Sequence, residues 1–196
     1  MNFLAHLYLS GSSDRIKIGN FIGDYVKGKN YENYPDDIKY GILLHRKIDT
    51  FTDSHIVVKQ SKDHFLKKYH KYAGVITDVV YDHFLTIHWE KYSKLNLKQF
   101  IFHAYHILLS NYSSLPARVK QFLPFFVIYN WLGSYDSLKG LERVFDRMSE
   151  KTSLPKYSKY AIYELHNNYN QIQNDFLKFF PELIDFVLED NKVKLI

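Results

Sequence analysis

Three side chains spaced four residues apart, His45, Asp49 and Asp53, carry the first sign of chemistry in this 196-residue chain. In a helix such residues lie one turn above another on a single face, and Ile42 and Ile38 continue the stripe toward the amino terminus. The ionisable groups thus extend a surface that belongs against a core. A buried, unpaired carboxylate costs roughly several kcal/mol, so these groups require a cation, hydrogen-bond donors, a metal ion or a proton.

Three further constellations repeat the pattern. Asp78 and Asp82, four apart, share a face with Leu85 and Trp89, and His83 lies between Val80 and Ile87 on the adjoining apolar face. Asn20 and Asp24 form a polar pair inside the glycine-flanked block Gly19–Gly28, where small residues permit close approach of another helix or a substrate. His6 sits among Leu4, Ala5 and Leu7. Each has an ordinary reading taken singly: a core histidine, a helix cap, or a pair with a lysine or with Arg46. Together they place imidazoles and carboxylates on inward faces of four helices, the way helical bundles build metal sites. Mixed nitrogen and oxygen ligands suit manganese, iron, zinc or magnesium. Such a site lowers the pKa of water and polarises a phosphoryl oxygen, so metal-assisted phosphoester hydrolysis is the natural class. Arg46, beside His45, has the fork that holds a phosphate oxygen. His55, His64, His70, His88, His103, His106 and His166 show no matching carboxylate pattern.

The elements that must position these residues are helices, because apolar spacings of three and four dominate and only five prolines and eight glycines interrupt them. The spacing predicts a short helix from Phe3, then one capped by Ser13 and ending near Gly28. A third follows Pro35, and a fourth, capped by Ser54, runs through Val57, Phe65 and Tyr69 until Gly74. A fifth spans Val75 to Tyr92. Asn96 and Pro116 start two more, the latter kinked or restarted at Pro124 and ended by Gly133. Ser137–Glu150 forms another, and Lys156–Glu189 a long helix divided near Pro181. The expectation is one all-α domain over residues 1–196, a bundle of about eight helices without repeats or linkers.

Composition agrees. With 46% apolar and 17% aromatic residues the chain can bury a sizeable core, which excludes disorder. No cysteine is present, which excludes disulfides, thiolate zinc sites and a cysteine nucleophile and is compatible with a reducing cytoplasm, the expected location. The apolar amino terminus lacks a basic leader, so no signal peptide is expected, and no stretch reaches membrane-spanning length. The net charge of +5 favours an acidic partner.

The sequence resembles the acyl carrier protein phosphodiesterases. The blocks that carry the resemblance are Met1-Asn2-Phe3-Leu4-Ala5-His6-Leu7, Gly19-Asn20 to Gly28, His45-Arg46-Lys47-Ile48-Asp49 with Thr52-Asp53, and Asp78 with Tyr81-Asp82-His83-Phe84-Leu85 and Trp89. Trp131-Leu132, Gly140-Leu141 and the aromatic C-terminal helix extend it over nearly the whole chain. The resemblance implies hydrolysis of the 4′-phosphopantetheine–serine phosphodiester of holo-acyl carrier protein. It also implies a distant likeness to the all-helical, metal-dependent HD phosphohydrolases, although the adjacent pair here reads Asp82-His83 in the reverse of the HD order. On these blocks the implied ligand set is His6, Asp24, His45, Asp49, Asp82 and His83 around a divalent ion. Manganese is the favourite, with Fe2+, Mg2+ or Zn2+ as alternatives, and Asn20, Asp53 and Asp78 are reserve or supporting residues. Asp24, His45 and Arg46 are the implied catalytic residues, with Asp24 orienting water and Arg46 countering transition-state charge.

The implied substrate is an acidic helical protein. Lys59, Lys62, Lys67, Lys68 and Lys71, with Asp63 the only acid between Val57 and Tyr72, form a candidate docking face or else a solvated one. Nucleic acid is disfavoured, since no basic-aromatic recognition motif is present. Two other readings stand beside this one: an HD-type hydrolase acting on nucleotides, and a non-catalytic helical binding module with a buried hydrogen-bond network.

Overall fold

Helical spacing sets the architecture: the computed structural model, which describes residues 1–189 and 192–195, contains helices and no strand among those residues. In chain order the helices are α1 (Phe3–Tyr8), α2 (Asp14–Ile22), α3 (Asp36–Ser54), α4 (Ile56–Asp63), α5 (Leu66–Tyr69) and α6 (Ala73–Ile87). They continue with α7 (Trp89–Tyr92), α8 (Leu97–Ser110), α9 (Ala117–Ile128), α10 (Leu138–Lys151), α11 (Ser158–Asn167) and α12 (Tyr169–Leu188). Short 3-10 turns join several of them, and none of the helices is long and apolar enough to cross a membrane.

The expected cap at Ser13 is in place, its side chain accepting from the backbone N–H of Ile16, and at the expected starts Asn96 and Ser137 the side chains accept from Lys98 and Gly140. The breaks differ from expectation. Helix α2 stops at Ile22 and passes through a 3-10 turn, Gly23–Tyr25, well before Gly28. His55, not Ser54, caps α4 by accepting from Val57 N–H, and the anticipated single fourth helix divides at His64 and Phe65. Gly74 lies inside α6, where a Cβ would meet nothing closer than the end of the Lys62 side chain, so nothing compels a break there. The expected fifth helix ends at Ile87, and α9 ends at Ile128, before Gly133.

Neither internal proline divides its helix: Pro124 lies within α9 and Pro181 within α12, where the flanking Phe179, Phe180 and Leu183 are buried. The C-terminal break falls instead at Asn168, whose backbone N–H and side-chain amide both donate to the Glu164 carbonyl and so close off α11. These local competitions turn about eight expected helices into twelve α-helical segments among the described residues.

Helices α2 and α3 touch backbone to backbone. A Cβ on Gly19 would collide with the Ile38 carbonyl and one on Gly41 with the Ile16 carbonyl, so only glycine permits this approach. One continuous core covers the pair. On one side Phe3, Phe21, Phe122 and Phe126 interlock, with Phe3 and Phe21 centroids 5.1 Å apart, and dock α9 on α1 and α2. On the other, Tyr81 and Phe84 of α6 pack against Phe176 and Phe179 of α12. Each fully buried aromatic stabilises the fold by roughly 1.5–3 kcal/mol. The result is a rigid seam at which α1, α2, α3 and α6 meet.

Candidate active site

His6 enters this seam from α1 with its ring held from behind. The Asn20 side-chain amide donates to the His6 carbonyl (2.9 Å) and to Ser10 Oγ (3.0 Å), which leaves Asn20 Oδ1 to accept from His6 Nδ1 at 2.7 Å. The proton therefore sits on Nδ1, and Nε2 presents a lone pair. That lone pair faces Asp49 Oδ1 and the Met1 carbonyl oxygen, both at 3.1 Å. Burial, reinforced by the neighbouring His45, pushes His6 down to about 4, so three acceptors converge at neutral pH without a proton among them.

His45 stacks on His6 with ring centroids 4.1 Å apart and planes inclined by 21°. Gly23 makes the space: a Cβ there would fall on the His45 ring. His45 Nε2 lies 3.1 Å from Asp49 Oδ2 and 3.4 Å from Asp24 Oδ1, yet neither contact has hydrogen-bond geometry, and both buried ring nitrogens lack a hydrogen-bond partner. Burial alone would lower His45, but the Asp24 and Asp49 carboxylates outweigh it and raise the imidazole to about 9. Burial would likewise raise Asp49, but His45 first, and the Met1 ammonium with it, hold the carboxylate well below the ordinary range. Asp24, 68% exposed on the rim, is lowered first by His45.

Ligand atoms of His6, His45 and Asp49 all lie within 4.8 Å of one another. Converging acceptors at His6 and Asp49, with His45 Nε2 once an ion displaces its proton, fit a divalent cation with mixed nitrogen and oxygen preference. The Met1 ammonium, 3.0 Å from Asp78 and 3.7 Å from Asp49, is the neighbouring positive charge; burial alone would lower it, but these carboxylates raise it to about 10.

The α6 residues occupy a different environment. Asp82 accepts from the backbone N–H of Leu4 (2.7 Å) and Ala5 (3.2 Å), first-turn donors of α1 that no helix carbonyl can reach. Burial outweighs these donors and raises Asp82 to about 7. His83 donates from Nδ1 to the Tyr135 carbonyl (2.7 Å) and accepts at Nε2 from the Tyr169 hydroxyl (2.9 Å), on the side facing the 132–136 turn and α12. Of the expected ligands, Asp82 and His83 are not brought into the His6–His45–Asp49 group, and their polar atoms are engaged by the partners just named. Asp78 pairs with Met1, and Asp53 is exposed nearby. Asn20 fills its supporting role through the His6 tautomer.

An open cleft of about 340 Å³ reaches His45 and Asp49 of the His6–His45–Asp49 group, lined among others by Asp24, Lys27, Gly28 and Arg46. Arg46 does line it, but Nη2 donates to the Val26 (2.8 Å) and Gly28 (2.9 Å) carbonyls and the guanidinium stacks 5.2 Å from the Tyr31 ring centre. The five lysines do not share one helix: Lys59 and Lys62 lie on α4, Lys67 and Lys68 on α5, and Lys71 in the following 3-10 turn. The Lys68 ammonium caps the Tyr157 ring, and all but the half-buried Lys62 are exposed. The Met1 carbonyl and Lys27 escaped the sequence reading, since neither belongs to an inward stripe.

Comparisons with known proteins agree in direction. The family profile described as acyl carrier protein phosphodiesterase matches residues 1–183. A protein of that name from Yersinia pestis is 32% identical over 187 residues, covering 94% of this chain and 96% of the relative. One from Klebsiella pneumoniae strain 342 is 31% identical over 193 residues, covering 98% and 99%. An Enterobacter relative is 30% identical over 185 residues, covering 94% and 96%. No solved structure matches the chain.

Proposed function

Because the chain belongs to the acyl carrier protein phosphodiesterase family, we propose that it hydrolyses the phosphodiester between 4′-phosphopantetheine and a serine of holo-acyl carrier protein. The observation that carries the reading is the meeting of the His6 Nε2 lone pair with Asp49 and the His45 ring, the latter two lining an open cleft. Those three residues would hold a divalent ion, manganese first, with the Met1 carbonyl beside them. When bound, the ion supplies Lewis acidity that activates water and neutralises phosphoryl charge.

The protein's own groups do the rest. Asn20 fixes the His6 tautomer, so the lone pair stays aimed at Asp49 and the Met1 carbonyl. Asp49 directs one oxygen to each imidazole and sets their separation. Asp24, on the rim and held ionised by His45, is placed to orient a water and take its proton. The fixed dipoles and charges need little rearrangement as negative charge builds on the phosphoryl group.

The net charge of +5 supports an acidic protein partner, and the exposed Lys59, Lys67, Lys68 and Lys71 with Lys62 offer it a basic face. A cysteine-free chain of this kind suits a reducing cytoplasm. The test is incubation with purified holo-acyl carrier protein, with manganese or with chelator, followed by mass spectrometry of the carrier. Loss of the phosphopantetheine mass with manganese and its retention with chelator are expected; no loss with any divalent metal would overturn the proposal.

A further inference from the structure

Two cations line the cleft, and the structure gives them opposite circumstances. Arg46 uses both hydrogens of Nη2 on the Val26 and Gly28 carbonyls and rests its guanidinium on Tyr31. Those two carbonyls flank Lys27. The Lys27 carbonyl accepts from Asn30 N–H at 3.2 Å, and Gly28 adopts φ +58°, a left-handed conformation that turns the chain at this point. The peptide around Lys27 is therefore gripped on both sides, while its exposed ammonium has no side-chain or backbone partner among the described residues.

We infer that Lys27 is the group that contacts the phosphodiester, and that Arg46 is a positioning residue which acts through Lys27 by fixing the 26–28 peptides. The inference rests on the phosphodiesterase reading and reassigns the cation within it. A lysine ammonium is a compact charge on a flexible stem, able to follow a phosphoryl oxygen entering beside the triad. An arginine whose fork already grips two carbonyls would have to release the loop to do the same. Lys27 remains hydrated until substrate covers the cleft, so its attraction is exerted where water has just been excluded.

The experiment compares wild type, Lys27→Ala, Lys27→Arg, Arg46→Lys and the Lys27→Ala/Arg46→Lys double variant. Substrates are holo-acyl carrier protein and the small diester bis(p-nitrophenyl) phosphate, and calorimetric binding of inorganic phosphate gives a readout without turnover. Loss of one charged hydrogen bond predicts a fall of about 10- to 100-fold in kcat/KM for Lys27→Ala on both substrates. Weaker phosphate binding and substantial rescue by Lys27→Arg are also expected. Because Arg46 acts through Lys27, adding Arg46→Lys to Lys27→Ala lowers kcat/KM little further.

Unchanged kinetics and phosphate binding in Lys27→Ala would overturn the inference. A defect confined to the carrier protein and erased by salt would do so too, since it marks docking rather than phosphate contact. Losses that multiply in the double variant would return Arg46 to direct contact. Wild type that cleaves the small diester but leaves holo-carrier intact sinks the substrate reading alone, because the Lys27 comparison is still read on the diester.

Discussion

The α3 stripe and the α6 stripe look alike in sequence and are opposites in space. Both put carboxylates and an imidazole on inward helical faces. On α6 each polar atom has a structural duty: Asp82 ties down the first turn of α1, and His83 links the 132–136 turn to α12. On α3 the groups meet only one another and the Met1 ammonium: His45 has no hydrogen-bond partner, and Asp49 turns one oxygen to a lone pair on His6. Inward polarity that is satisfied holds a fold together, whereas inward polarity left unsatisfied needs something from outside. The two regions are joined physically, since Asp82 anchors the helix that carries His6 and the Met1 ammonium bridges Asp78 and Asp49.

The sharpest way to break this contrast is activity. His45→Ala and Asp49→Ala should each lower kcat/KM by more than the roughly 10- to 100-fold cost of losing a residue that merely orients a ligand, with circular dichroism unchanged. His83→Ala should keep kcat within about tenfold at a temperature where it is folded. If His83→Ala is as inactive as His45→Ala, the contrast fails.

Stability should rank the regions the other way. Asp82→Ala strands two buried N–H groups and should cost about 3 kcal/mol, or a Tm fall of about 5–10 °C by calorimetry, while Asp49→Ala costs less. Next, manganese at about 100 times its Kd should stabilise wild type by about 2.7 kcal/mol in thermal scans. His83→Ala should retain that shift and His45→Ala lose it; a shift surviving in His45→Ala would move the ion elsewhere.

The last comparison concerns pH. Asp82 is raised to about 7 in the fold against an ordinary carboxylate near 4 when unfolded, so between these values the folded state holds the extra proton. Its contribution to stability is complete below about pH 4 and is lost as pH rises through about 7, at a slope of at most about 1.4 kcal/mol per pH unit. Denaturant titrations across that range should show a flatter profile for Asp82→Asn than for wild type. Identical profiles would mean that the two backbone donors keep Asp82 ionised throughout.

The helical fold was legible because periodicity and caps agree: Ser13, Asn96 and Ser137 each precede a run spaced for one buried face. Its breaks were not, because they depend on local hydrogen bonds such as Asn168 to Glu164, and glycine or proline content does not report them. His6, His45 and Asp49 were legible as inward-facing groups, the first also by its place in a family block. Asp82 and His83 passed the same filter because spacing gives a side chain's direction and says nothing about a partner arriving from another helix. Arg46 was legible as a cation beside the site, but the carbonyls that engage it lie on a loop with no period. Lys27 gave no signal for the same reason.

Gly23 leaves a gap of one hydrogen atom against the His45 ring. That makes it a natural position for converting a catalyst into a capture reagent. A methyl group there displaces the imidazole from its stack while leaving the basic lysines untouched, so Gly23→Ala would serve as bait that retains holo-carrier protein without cleaving it.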